Sequence, residues 1–182
     1  MFNDDLIIDL TKSGATWRAP MLDIAEEENT VGTMCRLARE GETLRVLVEA
    51  QDDDVLGLIA TAPVPGTRDA FLYEEDGIQL AVVYPNAAVA SDLLLANPMG
   101  KVVAAGSAQD WPVTPARRED GWTIEVTIPL PEGAQALGLA VHRFYRGVKN
   151  EVHGLTPTLP HPLDPEEFAV VLLQPKMTGT KF

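Results

Sequence analysis

The chain has very little thiol. Cys35 is the single cysteine among 182 residues, so no intrachain disulfide can form and stability must come from packing. Positive charge is also scarce. Fourteen basic residues stand against 27 acidic ones, a formal charge of -13. A nucleic-acid partner needs a basic face to meet phosphates, and an anionic membrane surface repels such a chain, so both are excluded as expected partners. The acidity itself reads as a solubility feature.

No apolar run approaches the ~20 residues of a membrane span. Met1-Phe2-Asn3-Asp4-Asp5 lacks a basic segment followed by an apolar run, so no signal peptide is expected. The compartment stays open: cytoplasmic, or extracytoplasmic in a form whose signal was removed. Catalytic patterns are missing too. Serine occurs only at 13, 91 and 107, with no Gly-x-Ser-x-Gly elbow, and no glycine loop is built to cradle phosphate. Glu74 and Glu75 are adjacent, and neighbours on a strand point to opposite faces, whereas glycoside hydrolysis needs two carboxylates across a cleft. The expectation is therefore a protein that is not an enzyme.

What the chain does have is strand alternation. Asp120-Gly121 is a turn pair. After it Trp122, Ile124, Val126 and Ile128 point one way and Thr123, Glu125 and Thr127 the other, the period of a half-buried strand. Val31 to Leu37 and Leu44 to Ala50 read as antiparallel strands joined by Arg39-Glu40-Gly41-Glu42. Ile78, Leu80 and Val82 make one face of a strand ending at Pro85. Lys101 to Ala105, Leu137 to Tyr145 and Ala169 to Leu173 complete the strand set. Ala87 to Leu95 fits a short helix or a strand. Pro20 disfavours regular structure before it. Glu26-Glu27-Glu28-Asn29 reads as a charged loop, residues 60–70 as a Pro/Gly loop, and 146–162 as a long irregular one. Many short strands and almost no helical periodicity predict an all-β, antiparallel β-sandwich. One domain is expected over 1–182, with its core at about 17–173 and a polar tail at 174–182.

The order of segments resembles the carbohydrate-binding module family 9-like domain of the DOMON-like group. Trp17-Arg18-Ala19 resembles its N-terminal W-x-A segment. Glu75-Asp76-Gly77-Ile78-Gln79-Leu80 resembles its acidic strand entry, with Gln79 where Glu is usual. Asn97-Pro98-Met99-Gly100 resembles its N-P-x-G turn, and Asp120 to Leu130 its most distinctive strand. Leu139 to Arg143 resembles a strand ending in Arg. His161 to Val170 resembles the closing H-x-P-x-x-F-G segment, with Ala169 in place of Gly. The resemblance implies a non-catalytic sugar-binding sandwich, in some members with structural calcium. Sugar-binding members hold a pyranose between two aromatic rings. Leu155 stands near where one of those rings is expected, so the fold can persist with its sugar site lost or rebuilt. A structural or protein-interaction sandwich is the alternative.

Several candidate ligand residues follow. Trp111 lies in a polar loop and reads as an exposed platform. Tyr73 and Tyr84 flank the Glu75-Asp76 strand. Asn97, Arg143, Arg146 and Asn150 are the polar partners for sugar hydroxyls. Trp122, by its strand phase, belongs to the core, and Trp17 reads as a packed anchor. Asp52, Asp53 and Asp54 can offer oxygens to calcium, although contiguous acids usually stay solvated. His142, His153 and His161 match no short ligand spacing, but one of them brought together with Asp52 or Glu151 would suggest a metal. His142 is placed facing solvent. Haem held between Met34 or Met99 and His142 or His161 is a third reading. Cys35 reads as a small core hydrophobe. Oligomeric state is left open.

Overall fold

The computed structural model describes residues 6–25, 28–52, 58–64, 72–85, 92–146, 151–157, 159–160 and 163–174. Among the described residues the regular structure consists of three short 3-10 turns and twelve strands. They are β1 (Ile7–Asp9), β2 (Thr16–Asp23), β3 (Glu28–Glu40), β4 (Thr43–Gln51), β5 (Gly77–Val83), β6 (Asp92–Ala96), β7 (Val102–Ala105), β8 (Val113–Arg118), β9 (Gly121–Pro129), β10 (Ala136–Tyr145), β11 (Glu151–Gly154) and β12 (Ala169–Leu172). The all-β, antiparallel expectation holds, with β1–β12 as a parallel pair.

The strands hydrogen-bond into one set, in the order β7-β6-β5-β10-β11-β2-β3-β4-β9-β8. Its two outer strands, β7 and β8, are consecutive in the chain. A 3-10 turn at Gly106–Asp110 and Trp111 join them, which draws the two margins of the sheet towards each other. The set branches at β10. One edge of β10 is shared: Ala136–Leu139 pair with β12, and His142–Tyr145 pair with β11. β11 leads on to β2 through only two residue pairs, His153 with Asp23 and Gly154 with Leu22, while β12 leads to β1.

The interior follows from alternation. Leu44, Val46 and Val48 meet Ile124, Val126 and Ile128, and Leu137, Leu139 and Val141 meet Leu80 and Val82, all at 2% exposure or less. Burying each such side chain stabilises the fold by about 1.5–3 kcal/mol. Cys35 and Trp122 belong to this core, as their strand phase predicts.

Three local expectations change, and one open choice, helix or strand before Leu95, is decided as strand. β2 runs through Pro20, because the register shifts between Pro20 and Leu22 and a bulge tolerates a residue without an N–H. Glu28 and Asn29 begin β3 rather than lying in a loop. Residues 92–96 form strand β6. The expected irregular stretch 146–162 contains β11. His142 is also not solvent-facing: it is fully buried. β10 is covered on both sides, since Phe168, Leu163, Leu72 and Tyr73 pack over the outer face of β5, β6 and β10. On a strand covered twice, alternation separates two interiors instead of inside from outside.

Candidate functional site

The inward phase of several strands ends in polar residues at one end of the interior. Val48 and Ala50 are followed by Asp52, and Leu139 and Val141 by Arg143 and Tyr145. In the reverse chain direction, Leu37 and Cys35 lead to Thr33, and Leu80 and Ile78 to Asp76. β2 and β11 contribute Asp23, His153 and Glu151. The hydrophobic core is therefore capped by a buried polar layer.

Arg143 is the centre of that layer at 1% exposure. Its Nη1 donates to Thr33 Oγ1 at 2.5 Å and its Nη2 to the Gln51 carbonyl at 3.2 Å. The guanidinium lies 4.4 Å from the Tyr145 ring centroid and 5.4 Å from that of Trp122, so aromatic faces replace much of the lost water. Burial pulls its pKa below the usual arginine value, opposed by the nearby charge of Asp52 and by Tyr145. Tyr145 donates its hydroxyl to Asp52 Oδ1 at 3.0 Å.

His153 pairs directly with Arg143 across β10 and β11. Its Nδ1 is 2.8 Å from Thr33 Oγ1 and its Nε2 3.1 Å from Glu151 Oε2. Burial lowers the His153 pKa, and Arg143 adds to this while Glu151 and Asp23 oppose it. Single ligand atoms of Asp23, Glu151 and His153 all lie within 4.8 Å of one another. His153 and Glu151, two apart on β11, do meet in space, and Asp23 from β2 joins them.

A second polar cluster anchors the segment at 59–61. Glu75 accepts from Thr61 N at 3.1 Å, Thr61 Oγ1 at 2.7 Å, Asn97 Nδ2 at 2.6 Å and Lys101 Nζ at 3.0 Å. Burial pushes its carboxyl up, but these bonds together outweigh that and hold it below the usual carboxylate range. Asp76, with no exposed surface, accepts from Ile59 N and Arg146 N. The turn 97–100 closes on itself: Asn97 Oδ1 caps Met99 N and Lys101 N, and Gly100 takes φ +86°.

These contacts reassign most of the expected ligand residues. Trp111 is 6% exposed and packs in the main core, which corrects its reading as an exposed platform. It joins the outer strands of the sheet, and closing that margin buries the indole. Asn97 is engaged in its turn and with Glu75, and Arg143 is engaged in the polar layer. Tyr73 and Arg146 do meet: Arg146 Nε donates to the Tyr73 carbonyl at 2.8 Å, and both contact the Phe144 ring. Tyr84 packs partly buried against the core, and burial aided by Asp92 pushes its phenol up to about 12. Asn150, Asp53, Asp54 and His161 lie outside the described residues. Asp52 is buried, accepts from Tyr145 and faces the charge of Arg143. It does not belong to the histidine–carboxylate group, and a cationic neighbour opposes calcium at that carboxylate.

A groove that the sequence does not announce opens where the sheet branches. Beyond its two pairs with β11, β2 has no further pairing on that edge among the described residues, and β1 and β12 diverge from it. The space between the branches is about 340 Å³. Trp17, Pro20 and Leu22 line one side, Leu6, Glu167 and Phe168 the other, with Leu155, Thr156 and Pro157 between them. Trp17 packs against the main core, as its reading as an anchor expects, and is partly exposed in the groove. The Thr156 hydroxyl is buried without a hydrogen-bond partner among the described residues. W-x-A and the residue near the expected second ring, Leu155, were both legible as motif positions, but only the fold brings them into one groove.

No protein-family model matches the chain, and no curated protein matches it.

Proposed function

We propose that the protein is a non-catalytic binding module that takes a saccharide ring in the groove between β2 and the β1–β12 branch. The observation that carries this reading is the composition of that groove: an accessible indole, an unpartnered hydroxyl and a carboxylate surround one volume. The C–H face of a pyranose packs on the flat face of Trp17. Its hydroxyls then find Glu167 as acceptor, and the Thr156 hydroxyl only if that buried side chain turns towards the groove. Burying an unmade hydrogen-bonding group is costly, and a ligand that satisfies it recovers that cost. Leu155 offers an apolar wall in place of a second ring, so the groove suits a single ring held on one aromatic face.

The order of motifs shared with family 9-like modules supports the same reading, as does an antiparallel sheet whose margins approach each other. In this reading the strands form the two facing layers of a β-sandwich. Gln79 also fits a binding role that has moved away from the acidic strand. Its Nε2 donates to the Pro160 carbonyl at 3.1 Å, so this position supports the wrapping loop.

The test is thermal shift and calorimetric titration against a glycan panel. Binding should be lost in Trp17→Ala while the melting temperature without ligand stays near wild type. A panel that yields no ligand, or one whose binding survives Trp17→Ala, rejects the groove.

A further inference from the structure

We propose that Asp23, Glu151 and His153 form a site for one divalent transition-metal ion of the zinc class, which pins β2 to β11. The three side chains come from two strands joined by only two residue pairs, and His153 stands opposite Asp23 in one of them. Their ligand atoms already converge within 4.8 Å. Two ligands of a tetrahedral zinc, each about 2.0–2.1 Å from the metal, stand about 3.3 Å apart. His153 Nε2 and Glu151 Oε2 are 3.1 Å apart, close to that spacing, so the two need to turn their lone pairs towards a common point rather than move apart. Asp23 accepts the Ala25 N–H through Oδ1 at 2.9 Å, which fixes its rotamer and leaves Oδ2 as the atom to complete the set.

The support behind the imidazole is also in place. A metal-binding histidine donates its other ring N–H to an oriented acceptor. Thr33 Oγ1 stands 2.8 Å from His153 Nδ1 and is itself fixed by Arg143. In the tautomer with Nδ1 protonated, Thr33 accepts from both residues and Nε2 presents its lone pair to the carboxylates. The charges agree as well. Asp23, Asp52, Asp76 and Glu151 against Arg143 leave three net negative charges in this layer, so a dication meets an excess of negative charge there. One imidazole with two carboxylates selects a borderline transition metal over calcium or magnesium, which prefer oxygen alone.

The experiment uses the full chain, freed of metal by chelator and titrated with Co²⁺. A visible ligand-field band should grow and saturate at one ion per chain. Zn²⁺ should displace it, Ca²⁺ should not, and Zn²⁺ should raise the melting temperature. Glu151→Gln and Asp23→Asn keep side-chain shape and should each weaken Co²⁺ at least about tenfold, since even outer-shell losses cost 10–100-fold. Glu132→Gln, in an exposed turn, should leave the affinity unchanged. Absence of both the band and the shift in the wild-type chain overturns the site. So does a band of undiminished affinity in both carboxylate variants.

Discussion

Arg143 and His153 stand opposite each other on β10 and β11 and share one hydroxyl, that of Thr33. A single β-branched side chain thus satisfies two buried cation-forming groups on a third strand. Thr33→Val keeps the shape and removes the oxygen. It leaves a guanidinium N–H and an imidazole nitrogen unpaired in a buried layer, at a cost of about 2–4 kcal/mol. Urea unfolding should show this as a lower midpoint with an unchanged slope. A midpoint within error of wild type would mean that water or another group replaces the hydroxyl.

Trp111 and Trp17 should separate cleanly. Trp111→Ala empties a core position at the meeting of the sheet margins and should cost about 3–5 kcal/mol. Trp17→Ala removes a partly exposed ring and should cost far less, so thermal melts of the two variants side by side decide which indole is structural.

Glu75 sets an acid limit. Its folded pKa lies below the ordinary glutamate value of about 4.5. In a falling pH series the unfolded state therefore takes up the proton first. The stabilisation is complete above the unfolded value and is lost as pH falls through the folded one. Glu75→Gln should lower stability at neutral pH and flatten the decline below about pH 4.5. Denaturant midpoints across that range measure it, and parallel wild-type and variant curves would remove Glu75 as a cause.

Gly121 is a steric requirement of the Asp-Gly turn. Its φ is +150°, and a Cβ there would collide with the Ala50 carbonyl oxygen across the β4–β9 pair. Gly121→Ala should cost about 2–4 kcal/mol. Gly41→Asn is the control. Gly41 sits at φ +60° with open space where a Cβ would be, and asparagine tolerates that conformation. Calorimetric melting temperatures should fall sharply for the first variant and little for the second.

Local periodicity was legible in the residues alone. Trp122 to Ile128, Leu44 to Ala50 and Ile78 to Val82 alternate over enough positions that one face must be buried. Asp120-Gly121 and Asn97 to Gly100 announce turns through residues that tolerate special backbone angles. The same alternation held a further signal: its step of two runs on from Val48 and Ala50 to Asp52, and from Leu139 and Val141 to Arg143. Followed to its end, it marks a polar layer.

Alternation along the chain specifies an all-β protein with Trp122 and Cys35 inside, because a period of two depends only on neighbours along one strand. Tertiary structure decided the rest. Trp111 is buried because two strand margins approach around it, and His142 because β10 is covered twice. His153 shares a face of β11 with Glu151 by their spacing of two, but it reaches Asp23 and Thr33 only through the pairing of β11 with β2 and the stacking of inward phases. The groove at Trp17 exists because β10 shares one edge between two partners that then diverge. Such meetings depend on which strands become neighbours, and strand pairing between distant segments leaves no spacing in the chain to read.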